Sequence, residues 1–133
     1  MATQARSPGL AVLAIMLAMV ISCGTCPPAP SIASISPSRA SAGGSQFLLT
    51  VNGNDFRRDS VVSWNGSFRL TTFVNSNELV AAITAGDIAQ PGTVLVFVLN
   101  PQEGGTAFVG IGVRSTTWCS GKNSNAVSFT INP

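Results

Sequence analysis

The chemistry open to this chain is bounded by the side chains it carries. Its five carboxylates are Asp55, Asp59, Glu78, Asp87 and Glu103, each in or beside a different turn or strand end. There is no histidine, so neither a Ser-His nor a Cys-His nucleophile pair can be assembled. The three cysteines are Cys23, Cys26 and Cys119, and without histidine they fall short of the common zinc sets. Asn54, Asp55 and Asp59 offer the oxygen ligands that Ca²⁺ takes, but a reversing turn needs the same residue types. Two carboxylates can hydrolyse a glycosidic bond, though only across a cleft that a domain of about 100 residues seldom has. Arg57-Arg58 is the one adjacent pair of cations, and Asp55 and Asp59 bracket it. Arg39, Arg69, Arg114 and Lys122 are scattered and the net charge is only +2, whereas nucleic-acid binding needs clustered cations to replace phosphate counterions. No catalytic residue, metal set, cofactor site or nucleic-acid surface is expected.

The elements that would hold these residues read as short strands. A chain of 133 residues allows one domain. Only 9% of it is charged, against roughly 25% in ordinary globular domains, while Ser, Thr, Asn and Gly abound. Phe47, Leu49 and Val51 alternate with polar and outward positions, the period of two that a half-buried strand requires. Asn52-Gly53-Asn54-Asp55 reads as a reversal, and Val61 to Trp64 as the returning strand, closed by the Asn65-Gly66 turn signal. Trp64 is placed to plug the core. Ser31 to Ser36 makes a first edge strand stopped by Pro37, and Arg39 to Ser45 a turn of small residues. Phe68, Leu70, Thr72 and Val74 mark a fourth strand, with Asn75-Ser76-Asn77 as its turn. Leu79, Ala81 and Ile83 mark a fifth, and Gly86 to Gly92 a loop. Val94 to Leu99 is the sixth strand, and Val127, Phe129 and Ile131 define the last. About seven short strands at near-regular spacing predict an all-β, immunoglobulin-like sandwich.

The N-terminus reads as a targeting segment. Met1 to Gly9 is short and polar with Arg6, and Leu10 to Ile21 is wholly apolar. That run is shorter than the ~20 residues a transmembrane helix needs and suits a secretory signal peptide over residues 1–22. Val20-Ile21-Ser22-Cys23 resembles the bacterial lipobox. The resemblance implies that Cys23 receives a diacylglycerol, becomes the mature N-terminus and is acylated, giving a lasting anchor. An ordinary signal peptide cut at the same bond is the other reading. Residues 23–30 then form a Pro-rich tether, extended at about 3.1 Å per residue. Gly24, where an Asp would mark inner-membrane retention, points to the outer membrane or surface of a bacterium.

Taken together, SISPSRASAGGSQFLLTVNGNDF, VVSWNG, LTTFVNSNELVAAIT, PGTVLVFVLNP and SNAVSFTI resemble the IPT/TIG family of immunoglobulin-like domains. The resemblance assigns residues 31–133 to the domain and implies a sandwich without the inter-sheet disulfide. It carries over no catalytic residue. Bacterial members usually serve as surface, spacer or adhesion modules. In such sandwiches the first strand starts at the pole where the loop between the last two strands lies. With Cys23 consumed by lipid, Cys26 and Cys119 are therefore expected to pair, as a secreted chain allows.

The chain departs from the family at residues 102–123, an insertion between the last two strands. Val109, Ile111 and Val113 alternate there with Gly110 and Gly112, and Phe108 and Trp118 add aromatic bulk. In the sixth strand Leu95, Phe97 and Leu99 must point outward if Val94, Val96 and Val98 point inward. Large apolar groups left in water forgo about 1.5–3 kcal/mol each, so the insertion is expected to fold back over Leu95 and Phe97. A projecting recognition loop is the alternative. Leu95, Phe97, Phe108, Ile111 and Trp118 form the expected binding surface. The functional expectation is a non-catalytic, lipid-anchored binding, adhesion or spacer module. Its partner would be another envelope protein or a surface glycan, the latter read by exposed aromatics among Phe68, Phe73, Phe97, Phe108 and Trp118. A structural component of an envelope assembly is the further alternative.

Overall fold

The computed structural model describes residues 26–102, 106–109, 113–116 and 119–133, with backbone alone at 106–109 and 113–116. In chain order the strands are β1 (Ser31–Ser36), β2 (Arg39–Ser41), β3 (Phe47–Asn54), β4 (Val61–Trp64), β5 (Ser67–Arg69), β6 (Thr71–Asn75), β7 (Glu78–Ile83), β8 (Gly92–Asn100), β9 (Thr106–Val109), β10 (Val113–Thr116), β11 (Lys122–Asn123) and β12 (Val127–Asn132). One sheet runs β1-β3-β7-β6, and the facing sheet runs β2-β12-β8-β4-β5 with β11 on the end of β8. Every pairing is antiparallel except that of β2 with β12. The chain is an all-β sandwich of immunoglobulin type.

Alternation of side chains along each strand builds the core. Leu49 and Val51 of β3 and Leu79, Ala81 and Ile83 of β7 are buried from the first sheet. Val62 and Trp64 of β4, Val94, Val96 and Val98 of β8, and Phe129 and Ile131 of β12 meet them from the second. Trp64 lies against Phe129 with ring centroids 4.9 Å apart, and Phe129 stacks on Phe47 of the opposite sheet at 5.7 Å. The Asn65-Gly66 turn forms with φ of 51° and 89°, both positive as a two-residue hairpin requires.

Four local expectations are corrected. Asn52-Gly53 does not reverse the chain: β3 continues to Asn54, and positive φ appears only at Asp55. The strands on either side lie in different sheets, so residues 55–60 form an inter-sheet crossover and not a hairpin. Residues 67–75 are not one strand either. β5 pairs with β4, β6 pairs with β7, and the change of sheet falls at Leu70, which is 81% exposed. Thr71 secures that switch, because its Oγ1 accepts from the Val62 N–H at 2.9 Å and donates to the Arg69 carbonyl at 2.8 Å. Arg39 to Ser41, expected in a turn, pair with the end of β12 as β2. The loop after β7 holds a 3₁₀ turn, Ala85–Ile88, whose Ile88 is buried.

Gly53 is needed for close approach. It lies opposite Ile32, and a Cβ there would run into the Ser31 carbonyl oxygen and the Phe56 ring. Gly53→Ala should therefore destabilise by about 1–3 kcal/mol. The check is a lower urea midpoint with an unchanged denaturant slope.

Candidate functional site

The outer face of the second sheet carries an apolar surface. Phe68 of β5, Ser63 of β4 and Phe97 of β8 lie directly opposite one another in register, so their side chains share that face. Phe68 is 56% exposed, and Ser63 between the two rings is fully buried. The Ser63 Oγ has no hydrogen-bond partner among the described residues. Leu95, opposite Ser128 of β12, is 51% exposed. The alternation expected for β8 holds along its length, with Val94, Val96 and Val98 inward and Leu95, Phe97 and Leu99 on the outer face.

The expected cover over this face is not in place at Leu95. β9 and β10 form a two-stranded sheet of their own and pair with neither sheet of the sandwich. Phe108 occupies the register position opposite Arg114, and Val109 that opposite Val113. Ile111 and Trp118 lie outside the described residues, as does Cys23. The end of the insertion belongs to the sandwich, because Lys122 and Asn123 pair with Asn100 and Leu99 as β11.

Cys26 and Cys119 form a disulfide with Cα atoms 5.5 Å apart. It joins the segment before β1 to the return leg of the insertion. Lys122 adds a second clasp by donating to the Pro27 carbonyl at 3.1 Å. At the same pole buried Asn100 holds the inter-sheet crossover, donating to the Asp55 carbonyl at 2.9 Å and accepting from the Ser60 hydroxyl. Arg57 donates through Nε and Nη2 to both oxygens of Asp59, at 3.0 and 2.6 Å. The hydrogen bond from Arg57 outweighs partial burial and holds the Asp59 carboxyl below its ordinary range. Arg58 lies over the Phe73 ring at 5.7 Å, which removes Phe73 from any open aromatic platform.

At the opposite pole Arg69 binds Asp87 in bidentate fashion, at 2.9 and 2.5 Å, and the Thr84 N–H donates to the same carboxylate at 2.9 Å. Burial alone would raise the Asp87 carboxyl, but the bonds from Arg69 and Thr84 prevail and lower it. Nearby, Gln46, Phe47, Leu48, Ala82, Ile83 and Thr84 line a shallow depression of about 230 Å³. No carboxylate lines it. Among the described residues no group of three or more acidic or cysteine side chains is placed to hold a metal.

The strand order, the crossover and the Trp64 plug now stand beside a comparison with known families, in which the IPT/TIG domain matches residues 30–131. The chain belongs to the IPT/TIG family. A search of curated proteins found no match. The matched span, residues 30–131, includes residues 102–123.

Two residues of this IPT/TIG domain, Ser124 and Asn125, do more than sequence reading assigned them. Ser124, in the link from β11 to β12, is held to β8, its N–H donating to the Val98 carbonyl and its Oγ accepting from the Val98 N–H, each at 2.8 Å. Asn125 meets the edge of β1 as a peptide group would: its Oδ1 accepts from the Ile32 N–H at 2.8 Å and its Nδ2 donates to the Ile32 carbonyl at 3.0 Å. Small amide and hydroxyl residues just before an apolar strand were the available signal.

Two outcomes are expected. Replacing Cys26 and Cys119 by Ser should remove up to about 4–5 kcal/mol, since the bridge spans 93 residues and acts mainly on the unfolded chain; denaturant midpoints with and without reductant check this. Arg69→Ala should cost about 1.5–3 kcal/mol at neutral pH. Because the folded Asp87 carboxyl is lowered, its stabilisation is present above the ordinary carboxylate range and lost as pH falls through the folded value. Melting curves should therefore show the gap between wild type and Asp87→Asn closing below about pH 4.

Proposed function

We propose that this protein is a non-catalytic binding module of a bacterial envelope, anchored as a lipoprotein through Cys23 and engaging its partner with the outer face of the second sheet. The observation that carries the reading is the apolar row Phe68–Ser63–Phe97 with Leu95 beside it. A face of this kind, on a domain with so few charges, fits a protein partner better than a solvated spacer. The disulfide suits an oxidising compartment outside the cytoplasm. The lipobox-like Val20–Cys23 supplies the anchor, and Gly24 favours the outer membrane. Family membership adds an immunoglobulin-like frame with no reaction attached.

A second reading has one observation behind it. Phe68 and Phe97 share a face two strands apart, an aromatic pair on which a sugar ring can stack. The partner would then be a surface glycan.

Both readings meet the same set of variants. Cys23→Ser should move the protein from the membrane to the soluble fraction and abolish incorporation of labelled palmitate. A wild-type protein that is soluble and unlabelled in its host would sink the anchoring part. Phe97→Ser with Leu95→Ser should abolish the cross-links that the wild type forms with one envelope protein and leave the fold intact. Glycan-array binding that is lost on Phe68→Ala would transfer the face to the carbohydrate class, and unchanged cross-links in the double variant would reject it as the contact.

A further inference from the structure

Asn-Gly occurs twice in the chain, at Asn52-Gly53 and Asn65-Gly66, and the fold places the two pairs in opposite settings. We infer that Asn65 is a site of spontaneous covalent modification: its side-chain amide is attacked by the Gly66 nitrogen, and the product loosens the β4–β5 hairpin that carries Phe68. The weight of this change for binding rests on the proposed use of the Phe68–Ser63–Phe97 face.

The chemistry needs only water. The Gly66 amide nitrogen gives up its proton to solvent base and attacks Asn65 Cγ. A new N–C bond forms, the bond from Cγ to the side-chain nitrogen breaks, and that nitrogen leaves as ammonia. Water then opens the resulting succinimide ring. Cleavage between the ring nitrogen and Cγ gives Asp with the main chain intact. Cleavage between the ring nitrogen and the Asn65 carbonyl carbon gives isoaspartate, whose main chain runs through Cγ. Nothing is oxidised or reduced. A following glycine favours ring closure, because it has no Cβ to hinder the approach and has the widest backbone freedom.

The fold decides which pair can reach that geometry. Asn52 lies within β3, opposite Ser34 of β1 and Glu78 of β7. The Gly53 N–H donates to the Asn77 carbonyl at 2.9 Å, and the Gly53 carbonyl accepts from Asn77 Nδ2 at 2.8 Å. That nitrogen is held in a sheet that must open before it can turn on Cγ. Asn65 and Gly66 are instead the two exposed residues of the hairpin turn, beyond the last β4–β5 pair, Trp64 with Ser67. A Cβ added at Gly66 would meet nothing within 4 Å, so the peptide unit between the two residues has room to rotate. Only local fraying is required there, and such openings lie at the low end of the stability scale.

The product acts on the outer face of the second sheet. Isoaspartate adds one main-chain carbon to a turn that two positive-φ residues close tightly, and either product adds a negative charge. The Asn65 N–H donates to the Leu95 carbonyl at 3.0 Å, and Phe68 pairs with Ser63 one register step from the turn. A lengthened turn therefore disturbs the bond to β8 and frees the short strand that presents Phe68.

The test ages the purified, folded protein at mildly alkaline pH and maps it by mass spectrometry after digestion in acid, with isoaspartate read by an isoaspartyl methyltransferase. Each rate is divided by that of the same site in protein unfolded by urea, which removes the effect of neighbouring sequence. The expected ratio is at least roughly tenfold larger for Asn65 than for Asn52, with faster deuterium exchange of the Ser67–Arg69 amides in the isoaspartyl fraction. Asn65→Gly, which suits the same turn, should give no product there and keep its β5 exchange unchanged with age. A ratio at Asn65 no larger than that at Asn52, or no conversion of Asn65 in the folded protein, overturns the modification. Isoaspartate at Asn65 with β5 exchange unaltered overturns its effect on the hairpin. None of these measurements needs the partner, so their failure leaves the proposed binding face standing.

Discussion

The sandwich depends on one stack of aromatic rings that crosses it. Trp64 and Phe129 both rise from the second sheet, on the strands either side of β8, and Phe47 reaches them from the first. Large rings bury 150–250 Å² each, so this stack supplies much of the apolar area that holds the two sheets face to face, with no disulfide between the core strands. Valines and leucines from β3, β7 and β8 fill the space around it. The arrangement also determines what cannot move. With Trp64 locked inward, Ser63 must face out, and the row Phe68–Ser63–Phe97 follows from the pleat.

Closing the ends of a sandwich is a separate problem, because backbone groups lose ladder partners wherever a strand changes sheet or stops. This chain solves it with short uncharged side chains. Thr71 covers the switch from β5 to β6, Asn100 ties down the crossover after β3, Ser124 fastens the link before β12 to β8, and Asn125 extends the edge of β1. Neutral amides and hydroxyls can do this without the desolvation penalty that a buried charge carries. The abundance of Asn, Ser and Thr is thus partly a structural demand and not only a surface preference.

Four of the few charges form two ion pairs. Arg57 with Asp59 and Arg69 with Asp87 sit at opposite poles, and Arg58 rests on Phe73. Each pairing stabilises a turn, and none gathers two carboxylates across a cleft. Exposed apolar side chains occur on both sheets, Phe68 and Leu95 on the second and Leu48 and Val74 on the first.

Much of the core was legible in the chain by itself. Leu49-Val51, Leu79-Ala81-Ile83 and Val94-Val96-Val98 follow from a period of two, because in a strand the covalent geometry alone sends alternate residues to one face. Asn65-Gly66 was legible for a similar reason, since the dipeptide tolerates the left-handed backbone that a tight hairpin demands. Pairing partners were not. Phe68 to Val74 reads as one strand, yet its halves join different sheets, because periodicity reports which way a side chain points and says nothing about which neighbour accepts its backbone. Gly53 reads as a turn residue, yet its role is to let β1 approach, a requirement set by a strand twenty residues away. The exposure of Leu95 was likewise decided in three dimensions: β9 and β10 pair with each other and with neither sheet of the sandwich, and an apolar pattern alone cannot tell a cover from a separate hairpin.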